Sequence, residues 1–490
     1  MTKATTTPEK TRTLIIGTGF AGLGLSTRMK RGGDNDFLLI DRADDVGGTW
    51  RDNTYPGVAC DVPSHLYSFS FRLKPNWSRV FAPGGEIWGY LQETARDEGL
   101  LPHIRFGAAL TSAAWDDASQ AWHITTTKGD FICNVLVTAM GHLADAKYPD
   151  IPGLTDFSGQ LMHSAEWNHD VDFSGKRVAV IGSGASAIQI TPGVAETASE
   201  LVVLQRSAPY VIPRPDRAYT DAEQRAFERS PELMEELRAD LFWGMEYNYA
   251  QRRAIPSAIA QAYALANGHR TSQVADPVLN AKLTPDYEIG CKRILISNAY
   301  YPSLQKENVT LEAAGLERVE GNLVVSTAGN SFEVDVIICA TGFEAVEPPF
   351  APLITARGRS LAEHWSDGMM AFSSVTLAGF PNLFIMNGPN TGLGHNSVIF
   401  VVESQVEFII QVLAYMRTQD ISVVETRRDA EESYVARVRH RSQGTVWLAG
   451  GCTNWYVDPR TNQLTVTWPD YAYAFRESNG TFDVAAFEVA

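Results

Sequence analysis

Two glycine-rich loops constrain the fold of this chain more than any other feature. The first, Gly17-Thr18-Gly19-Phe20-Ala21-Gly22, follows the apolar run 13–16 and precedes a predicted helix that ends near residue 31. The second, Gly182-Ser183-Gly184-Ala185-Ser186-Ala187, follows the apolar run 177–181. A glycine loop between a buried strand and a helix is typical of a dinucleotide-binding βαβ unit. The sequence therefore predicts an α/β fold with two Rossmann-like dinucleotide-binding domains.

The first loop predicts an FAD site. Gly17 permits the tight turn out of the strand, Gly19 lets the backbone approach a pyrophosphate, and Gly22 allows the helix to pack closely on the strand. The pyrophosphate is expected at the helix N-terminus, where free N–H groups favour an anion. Asp41, at the end of the next apolar strand, can accept hydrogen bonds from ribose hydroxyls. The predicted FAD contacts here are Gly17, Gly19, Phe20, Ala21, Gly22 and Asp41.

The second loop predicts a site for NADPH in preference to NADH. Alanine takes the place of the third glycine, and the strand at 201–204 ends in Gln205-Arg206-Ser207 without an acidic residue. A carboxylate there would repel a 2′-phosphate, whereas a guanidinium and a hydroxyl can bind one. The predicted NADP contacts are Gly182, Ser183, Gly184, Ala185, Ser186, Ala187, Arg206 and Ser207.

Charge and cysteine content exclude several classes of protein. The net charge of −16 disfavours binding to nucleic acid or to an anionic membrane surface. The five cysteines are odd in number and widely spaced, and none forms a CxxC pair. This pattern predicts neither a disulfide framework nor a metal site, so we expect reduced thiols in a cytoplasmic protein.

Neither of two candidate segments predicts integral membrane association. Residues 1–12 are polar and lack the apolar core of a signal peptide. The most apolar long stretch, 397–416, contains Glu403 and Glu407 one helical turn apart, and each would cost about 2–3 kcal/mol at a bilayer centre. We therefore interpret this stretch as a partly buried helix of a globular protein.

Each predicted nucleotide domain is interrupted in sequence. We assign 1–145 to the first part of the FAD domain, 150–215 to the first part of the NADP domain and 216–288 to a helical insertion. The NADP domain resumes over 289–335, and 336–490 completes the FAD domain with a C-terminal loop. Within the insertion, Thr220 and Glu223 form a predicted capping box, and Pro231 marks the start of another helix.

Four further motifs connect the chain to a known family. The segment Phe157–Trp167 contains Phe157, Gly159, His163 and Trp167 in the pattern FxGxxxHxxxW, followed by Asn168 where the family has proline or aspartate. The other motifs are 47–61 (GGTWRDNTYPGVACD), Cys291-Lys292-Arg293 and 335–343, which contains the tripeptide ATG. With these motifs the chain resembles the type I Baeyer–Villiger monooxygenases, a group of class B flavoprotein monooxygenases. Its C-terminal region is more similar to the shorter hydroxyacetophenone-type branch.

The resemblance implies an enzyme that uses FAD, NADPH and O₂ to insert an oxygen atom into a ketone through a C4a-peroxyflavin, giving an ester or lactone, and that also oxidises thioethers. It implies two catalytic residues: Arg293, which stabilises the anionic oxidant, and Asp61, which contacts the flavin site and is the counter-charge of Arg293. Lys292 is expected beside the 2′-phosphate, and the fingerprint segment is expected to link the two nucleotide domains. Four aromatic or hydroxyl residues are implied near the cofactors, namely Thr49, Trp50 and Tyr67 at FAD and Trp455 at NADP.

Three alternatives remain open at the sequence level. One is a related monooxygenase that oxygenates sulfur or nitrogen without acting on ketones. A pyridine nucleotide–disulfide reductase also binds FAD and NADPH, but it needs a redox cysteine pair that the spacing does not offer. A flavoprotein that binds cofactor without turnover would not need Arg293, Lys292 and Asp61. We expect a monomer or a small homo-oligomer.

Overall fold

The computed structural model describes residues 7–490. The first nucleotide-binding half contains three α-helices and six β-strands. The strands are β1 (Glu9–Ile16), β2 (Phe37–Ile40), β3 (Ile104–Arg105), β4 (Leu110–Asp116), β5 (Ala121–Thr126) and β6 (Asp130–Thr138). The helices are α1 (Phe20–Arg31), α2 (Thr49–Asp52) and α3 (Gly84–Asp97).

The second nucleotide-binding half and the insertion follow. The second half begins with β7 (Gln160–His163), β8 (Arg177–Ile181), α4 (Ala185–Val194) and β9 (Glu200–Leu204). Strand β10 (Val211–Ile212) follows, and the insertion then contains α5 (Asp221–Arg229), α6 (Glu232–Glu246), α7 (Tyr249–Arg252), α8 (Pro256–Gln273) and α9 (Pro277–Lys282). The second half resumes with β11 (Leu295–Ile296), α10 (Tyr300–Ser303), β12 (Val309–Glu312), β13 (Leu316–Glu320), β14 (Leu323–Ser326), β15 (Ser331–Glu333) and β16 (Val336–Cys339).

The remaining chain returns to the first half. Its strands are β17 (Ile354–Ala356), β18 (Arg359–Ser360), β19 (Leu383–Ile385), β20 (Val424–Thr426), β21 (Val457–Asp458), β22 (Gln463–Leu464) and β23 (Phe487–Val489). Its helices are α11 (Leu361–His364), α12 (Val398–Thr418), α13 (Arg428–Ser442), α14 (Val446–Ala449) and α15 (Ala472–Asn479).

Two sheets organise these elements. The larger sheet has a parallel core in the order β3-β2-β1-β6-β19, and the antiparallel strands β5 and β4 also lead away from β6. The second sheet is parallel, in the order β12-β9-β8-β16-β7. In each sheet a glycine loop connects a central strand, β1 or β8, to the helix that follows. The predicted α/β fold with two Rossmann-like units and a helical insertion is confirmed.

The predicted domain boundary after residue 335 is wrong. Val336–Cys339 forms β16, which pairs in parallel with β7 on one side and β8 on the other. This strand is therefore in the middle of the second sheet, and the chain returns to the first half only after Cys339. The sequence-based boundary is wrong because a buried strand has the same apolar pattern in either sheet.

The long apolar stretch forms the core helix α12. It is long and apolar enough to cross a membrane, but most of it is buried and it packs against α1 and α15. Glu403 is 5% exposed, and its Oε1 accepts a hydrogen bond from the Ser70 N–H at 2.6 Å. Ser397 caps the helix N-terminus through its hydroxyl. The helix is part of the protein core, as its two glutamates indicate.

Candidate functional site

The first glycine loop leaves a helix N-terminus free to bind phosphate. Gly17 has φ +108°, and a Cβ at this position would lie 2.6 Å from the Ala139 carbonyl oxygen. A Cβ on Gly22 would lie 2.0 Å from the Gly17 oxygen, so only glycine permits this contact between helix and strand. No side chain caps α1 at Gly19. The N–H groups of the first turn, at Phe20 and Ala21, are therefore available to a pyrophosphate.

Asp41 lies at the end of β2, but protein groups already bind its carboxylate. Oδ2 accepts hydrogen bonds from the N–H and hydroxyl of Thr18, at 2.9 and 2.7 Å. Oδ1 accepts a hydrogen bond from the Ala43 N–H at 3.0 Å, and the Arg51 guanidinium lies 3.5 Å away. Asp41 thus holds the glycine loop against the strand, and its contact with a ribose stays a prediction.

The second glycine loop repeats the geometry of the first. Gly182 has φ +121°, and a Cβ there would lie 2.5 Å from the Ala340 oxygen. Gly184 has no heavy atom within 4 Å of an added Cβ, and no side chain caps α4. Ala187 is fully buried, so its methyl group is accommodated where the first loop requires glycine. The Ser183 hydroxyl donates to the Ser207 carbonyl at 2.8 Å and ties the loop to the end of β9. The remaining members of the loop, Ala185 and Ser186, form the first turn of α4.

Two cations and a hydroxyl meet beside this loop. Lys292 Nζ donates to the Ser207 hydroxyl at 2.6 Å and lies 4.7 Å from the centre of the Tyr287 ring. Burial and the nearby charge of Arg206 lower the pKa of Lys292. Arg206 is exposed. Two cations that repel each other at the end of a nucleotide-binding strand are suited to a dianionic phosphate.

Asp61 and Arg293 form the central ion pair of the site. Arg293 Nε donates to Asp61 Oδ2 at 2.6 Å, with side-chain exposures of 32% and 28%. The charge and hydrogen bond of Asp61 raise the pKa of Arg293 despite its burial. Burial is the largest single influence and would raise the pKa of Asp61, but the charge and the hydrogen bond of Arg293, with smaller contributions from the backbone and from Arg214, together lower it. Both groups are therefore ionised at neutral pH. The Tyr456 hydroxyl also lies within hydrogen-bonding reach of Arg293, and the other guanidinium N–H groups have no further partner within residues 7–490.

Aromatic residues cluster at the end of the first glycine loop, and one of them, Tyr67, lies within electrostatic range of Asp61 and Arg293. Trp50 Nε1 donates to the Tyr67 hydroxyl at 3.2 Å, and the Phe20 and Tyr67 rings meet edge to face at 5.3 Å. The Thr49 hydroxyl donates to the Leu143 carbonyl at 3.4 Å. Trp50, Tyr67 and Phe20 thus form one aromatic cluster at the N-terminus of α1, a suitable wall for a planar ring.

The fingerprint segment bridges the two halves. Phe157 and His163 are buried, and His163 ends β7, where its Nδ1 accepts a hydrogen bond from the Ala165 N–H at 3.1 Å. Burial lowers the pKa of His163. Trp167 contacts Tyr55 of the motif 47–61, with ring centres 6.4 Å apart.

Gly159 and Tyr55 make close contacts where the fingerprint segment and the motif 47–61 meet the second half. A Cβ on Gly159 would lie 2.3 Å from the Asp335 oxygen, which fixes the start of β7 against β16. The Tyr55 hydroxyl lies 3.0 Å from Gln189 Oε1 on α4. Besides the Arg293–Asp61 ion pair, the second half is therefore joined to the motif 47–61 through Trp167 and Gln189, which suits a linking role better than a chemical one.

The C-terminal loop contributes a residue that the sequence analysis missed. Trp455, the predicted NADP contact, is 40% exposed, whereas its neighbour Tyr456 is 4% exposed. Tyr456 lies close enough to Arg293 and Arg252 for both charges to oppose the burial that raises its pKa. Its adjacency to Trp455 was the available signal, but sequence alone does not show which of two adjacent aromatic residues points inward.

The prediction that all five cysteines are reduced thiols is wrong. A disulfide joins Cys291 to Cys452 across 161 positions in sequence, while Cys60, Cys133 and Cys339 are free and buried. Spacing statistics could not reveal this pair, because the two cysteines become neighbours only when the C-terminal loop folds over the second half. The bond ties the residue before Lys292 and Arg293 to the loop that carries Trp455 and Tyr456.

Comparison with known proteins identifies the family. The flavin-binding monooxygenase-like family profile matches residues 10–351. A Baeyer–Villiger monooxygenase of Streptomyces coelicolor is 44% identical over 98% of this chain and 93% of its own length. The chain therefore belongs to the flavin-binding monooxygenase-like family. A second relative, the Baeyer–Villiger monooxygenase of Pseudomonas aeruginosa, is 40% identical over 97% of this chain and 90% of its own length.

Solved structures agree with this assignment. A cyclohexanone monooxygenase from Rhodococcus sp. Phi1 bound to NADP⁺ is 27% identical, with a TM-score of 0.87 over 99% of both chains. The OTEMO complex with FAD and NADP is 26% identical, with a TM-score of 0.86 over 98% of this chain and 99% of that chain. The predicted resemblance is confirmed, and the protein is an FAD- and NADPH-dependent flavin monooxygenase of the Baeyer–Villiger type. The two uncapped helix N-termini and the cationic cluster at Lys292 fit these two cofactors.

Proposed function

We propose that the protein converts a ketone, O₂, NADPH and a proton to an ester or lactone, NADP⁺ and water, with Arg293 as the catalytic cation. When bound, FAD would accept the hydride of NADPH and activate O₂. The ion pair between Asp61 and Arg293 is the observation that carries the proposal. It holds a permanently charged guanidinium beside the predicted flavin wall, with donors left for an anionic oxygen.

The ion pair gives the two residues different tasks. A preorganised cation in a site of low dielectric stabilises a developing oxyanion, and the loss of one such donor typically costs 10²–10³ in kcat. Asp61 keeps Arg293 in place, because a partly buried guanidinium without a counter-charge is unfavourable. Asp61 is thus a positioning residue, and Arg293 is the group that contacts the reacting atoms.

The nicotinamide nucleotide is assigned to the second half. We infer that Arg206, Ser207 and Lys292 bind the 2′-phosphate, while the loop from Gly182 to Ala187 binds the pyrophosphate. The contact of Lys292 with Ser207 supports this assignment. The assignment of Trp455 to NADP is proposed on its position three residues after Cys452, which is tethered next to Lys292. Thr49, Trp50, Tyr67 and Asp41 are proposed FAD neighbours.

Product identification tests the proposed reaction. The FAD-loaded enzyme is incubated with NADPH, air and a panel of linear, cyclic and aryl ketones, and products are identified by mass spectrometry. Incorporation of one ¹⁸O atom from ¹⁸O₂ into an ester or lactone is the expected result. NADPH consumption without oxygenated product from any ketone would contradict the proposal.

We further propose that thioethers are accepted, giving sulfoxides, because sulfur needs no anionic adduct and therefore no help from Arg293. The same panel with methyl phenyl sulfide tests this. Sulfoxide formation without any ester formation would favour the alternative, a sulfur- or nitrogen-oxygenating enzyme.

We also propose a monomer or small homo-oligomer without integral membrane association, and the buried position of α12 supports the last point. The Cys291–Cys452 disulfide argues against the reducing cytoplasm that the cysteine spacing predicted. Cell fractionation and light scattering test these assignments.

A further inference from the structure

Arg252 is a buried cation that the proposed reaction does not use. It ends the short helix α7 of the insertion and is 6% exposed. Its Nη2 donates to the Gly394 carbonyl at 2.5 Å, and this is its only hydrogen bond within residues 7–490. A guanidinium carries five N–H donors. Most of its hydrogen-bonding capacity is therefore left to a ligand.

No carboxylate neutralises this guanidinium within the described part of the chain. Asp61 is committed to Arg293 at 2.6 Å. Glu246 accepts hydrogen bonds from His395 at 3.0 Å and Asn396 at 2.7 Å, and also faces the N–H groups of Ala472 and Tyr473. Burial lowers the pKa of Arg252 to about 10, with an opposing contribution from Tyr456 and a smaller lowering contribution from the charge of Arg293. Arg252 is still charged at neutral pH.

The surroundings of Arg252 place it at the candidate active site. An added Cβ on Gly394 would lie 3.1 Å from Arg252 Nε and 2.8 Å from Trp447 Cζ2, so the guanidinium lies against bare backbone beside an indole ring. The rings of Trp447 and Tyr456 lie 6.1 Å apart within one buried hydrophobic cluster. Tyr456 lies within electrostatic range of both Arg252 and Arg293. An aromatic wall and two cations thus face the same region.

A buried guanidinium without a counter-charge is unfavourable unless an anion binds to it. The phosphates of the nucleotides are already assigned to the glycine loops and to Lys292, and the anion of the reaction is assigned to Arg293. We propose that Arg252 binds the carboxylate of the substrate, so that the preferred substrates are oxo acids, ketones that carry a carboxylate. This proposal rests on the proposed function for the identity of the ligand as a ketone.

The test uses matched oxo acids and methyl esters of graded length: 4-oxopentanoate, 6-oxoheptanoate, 8-oxononanoate and their esters. Two quantities are measured with the FAD-loaded, NADP⁺-saturated protein. The first is the shift in unfolding temperature on adding each compound, which reports binding without turnover. The second is kcat/KM with NADPH. The wild type is compared with Arg252→Met, Arg252→Lys and a control, Arg229→Met, which removes an exposed arginine of α5.

For the wild type we expect at least one acid to raise the unfolding temperature while its ester does not, and kcat/KM to favour that acid at least tenfold. Arg252→Met should abolish the shift in unfolding temperature and reduce the preference for the acid at least tenfold, through a higher KM for the acid. Arg252→Lys should retain part of this preference. The control Arg229→Met should behave like wild type. The wild-type comparison needs no variant, so it is decisive even if Arg252→Met folds poorly.

Two outcomes would overturn the proposal. One is a wild type that shows no preference for any acid over its ester. The other is an Arg252→Met variant in which kcat falls equally for acids and esters with KM unchanged, because Arg252 would then act on the anion of the reaction. Acid binding without ester formation would contradict the proposed function but support the carboxylate site. Ester formation from neutral ketones without a preference for acids would support the proposed function but contradict the carboxylate site.

Discussion

Arg293 donates a hydrogen bond to Asp61 across 2.6 Å, although 232 positions separate the two residues in sequence. The contact joins the motif 47–61 of the first half to the segment that follows the disulfide cysteine Cys291. Catalytic charge and flavin wall are therefore held together only when both halves are folded and docked.

Replacement of Arg293 should separate the two half-reactions. Arg293→Ala is expected to retain FAD and to be reduced by NADPH at nearly the wild-type rate, because hydride transfer creates no oxyanion beside this residue. Ester formation should fall by about 10²–10³. Anaerobic stopped-flow reduction and product analysis measure the two steps, with Arg229→Ala as the matched surface control. Ester formation near the wild-type rate would remove Arg293 from its proposed role.

Arg206 should discriminate between NADPH and NADH. Arg206→Ala is expected to raise the KM for NADPH about 10–100-fold, the effect of losing one charge-assisted phosphate contact, and to leave the KM for NADH nearly unchanged. Steady-state kinetics with both nucleotides measure the ratio. An equal change in both KM values would mean that Arg206 does not contact the 2′-phosphate.

Tyr456, the aromatic residue missed in the sequence, should affect oxygenation more than its neighbour Trp455. Tyr456→Phe removes only the hydroxyl beside Arg293 and is expected to lower kcat for ester formation by about tenfold, the typical worth of one hydrogen bond to a charged group. The rate of flavin reduction should not change. Trp455→Phe, at an exposed position, is the matched variant. If Trp455→Phe has the larger effect on kcat, the inward assignment of Tyr456 is incorrect.

The disulfide between Cys291 and Cys452 should stabilise the fold. Closing a loop of 161 positions is expected to contribute roughly 2–5 kcal/mol by restricting the unfolded chain. Cys452→Ser should therefore lower the unfolding temperature, and dithiothreitol should lower that of the wild type but not that of the variant. Thiol titration of the denatured wild type should find three thiols before reduction and five after it. Five thiols without reductant would show that the bond does not form.

His65 should make stability depend on pH in the weakly acidic range. It is 1% exposed, neither ring nitrogen has a hydrogen-bond partner, and burial, with a smaller contribution from the charge of Arg238, lowers its pKa to about 4. Between pH 6.5 and 4 the unfolded chain therefore takes up a proton that the folded protein does not. The free energy of unfolding should fall by about 3 kcal/mol over this range because of this group.

The matched variants for this prediction are His65→Leu and His123→Gln, the latter at an exposed histidine with 48% of its side chain accessible. Urea unfolding is followed from pH 7 to pH 4. The decline in stability should be shallower for His65→Leu than for wild type and unchanged for His123→Gln. A decline of the same slope in His65→Leu would show that His65 does not control it.

Local features of the fold could be predicted from the sequence because their physical causes are local. The strand–loop–helix units at Gly17 and Gly182 follow from glycine conformations and apolar runs within about 30 residues. The capping box of Thr220 and Glu223 is present at the start of α5, since it involves residues only three apart. The helix over the stretch 397–416 follows from its periodic apolar face.

Features that depend on contacts between segments far apart in sequence could not be predicted from local patterns. Strand β16 lies between β7 and β8 in the second half, but the predicted boundary assigned it to the first half. The composition of a strand does not reveal its place, because strand order in a sheet is decided by crossover connections. The contacts of Thr18 and Ala43 with the Asp41 carboxylate were likewise not apparent from the sequence, and the ribose contact of Asp41 stays a prediction.

The sequence by itself determined two dinucleotide-binding units and the family, since these depend on short motifs with a fixed local geometry, and the resemblance to that family implied the pair Asp61 and Arg293. Only the tertiary structure decided that Cys291 reaches Cys452, that Tyr456 points inward while Trp455 does not, and that Arg252 is a buried cation without a carboxylate partner. These depend on which distant segments pack together, and packing is settled by the whole fold and not by any one segment.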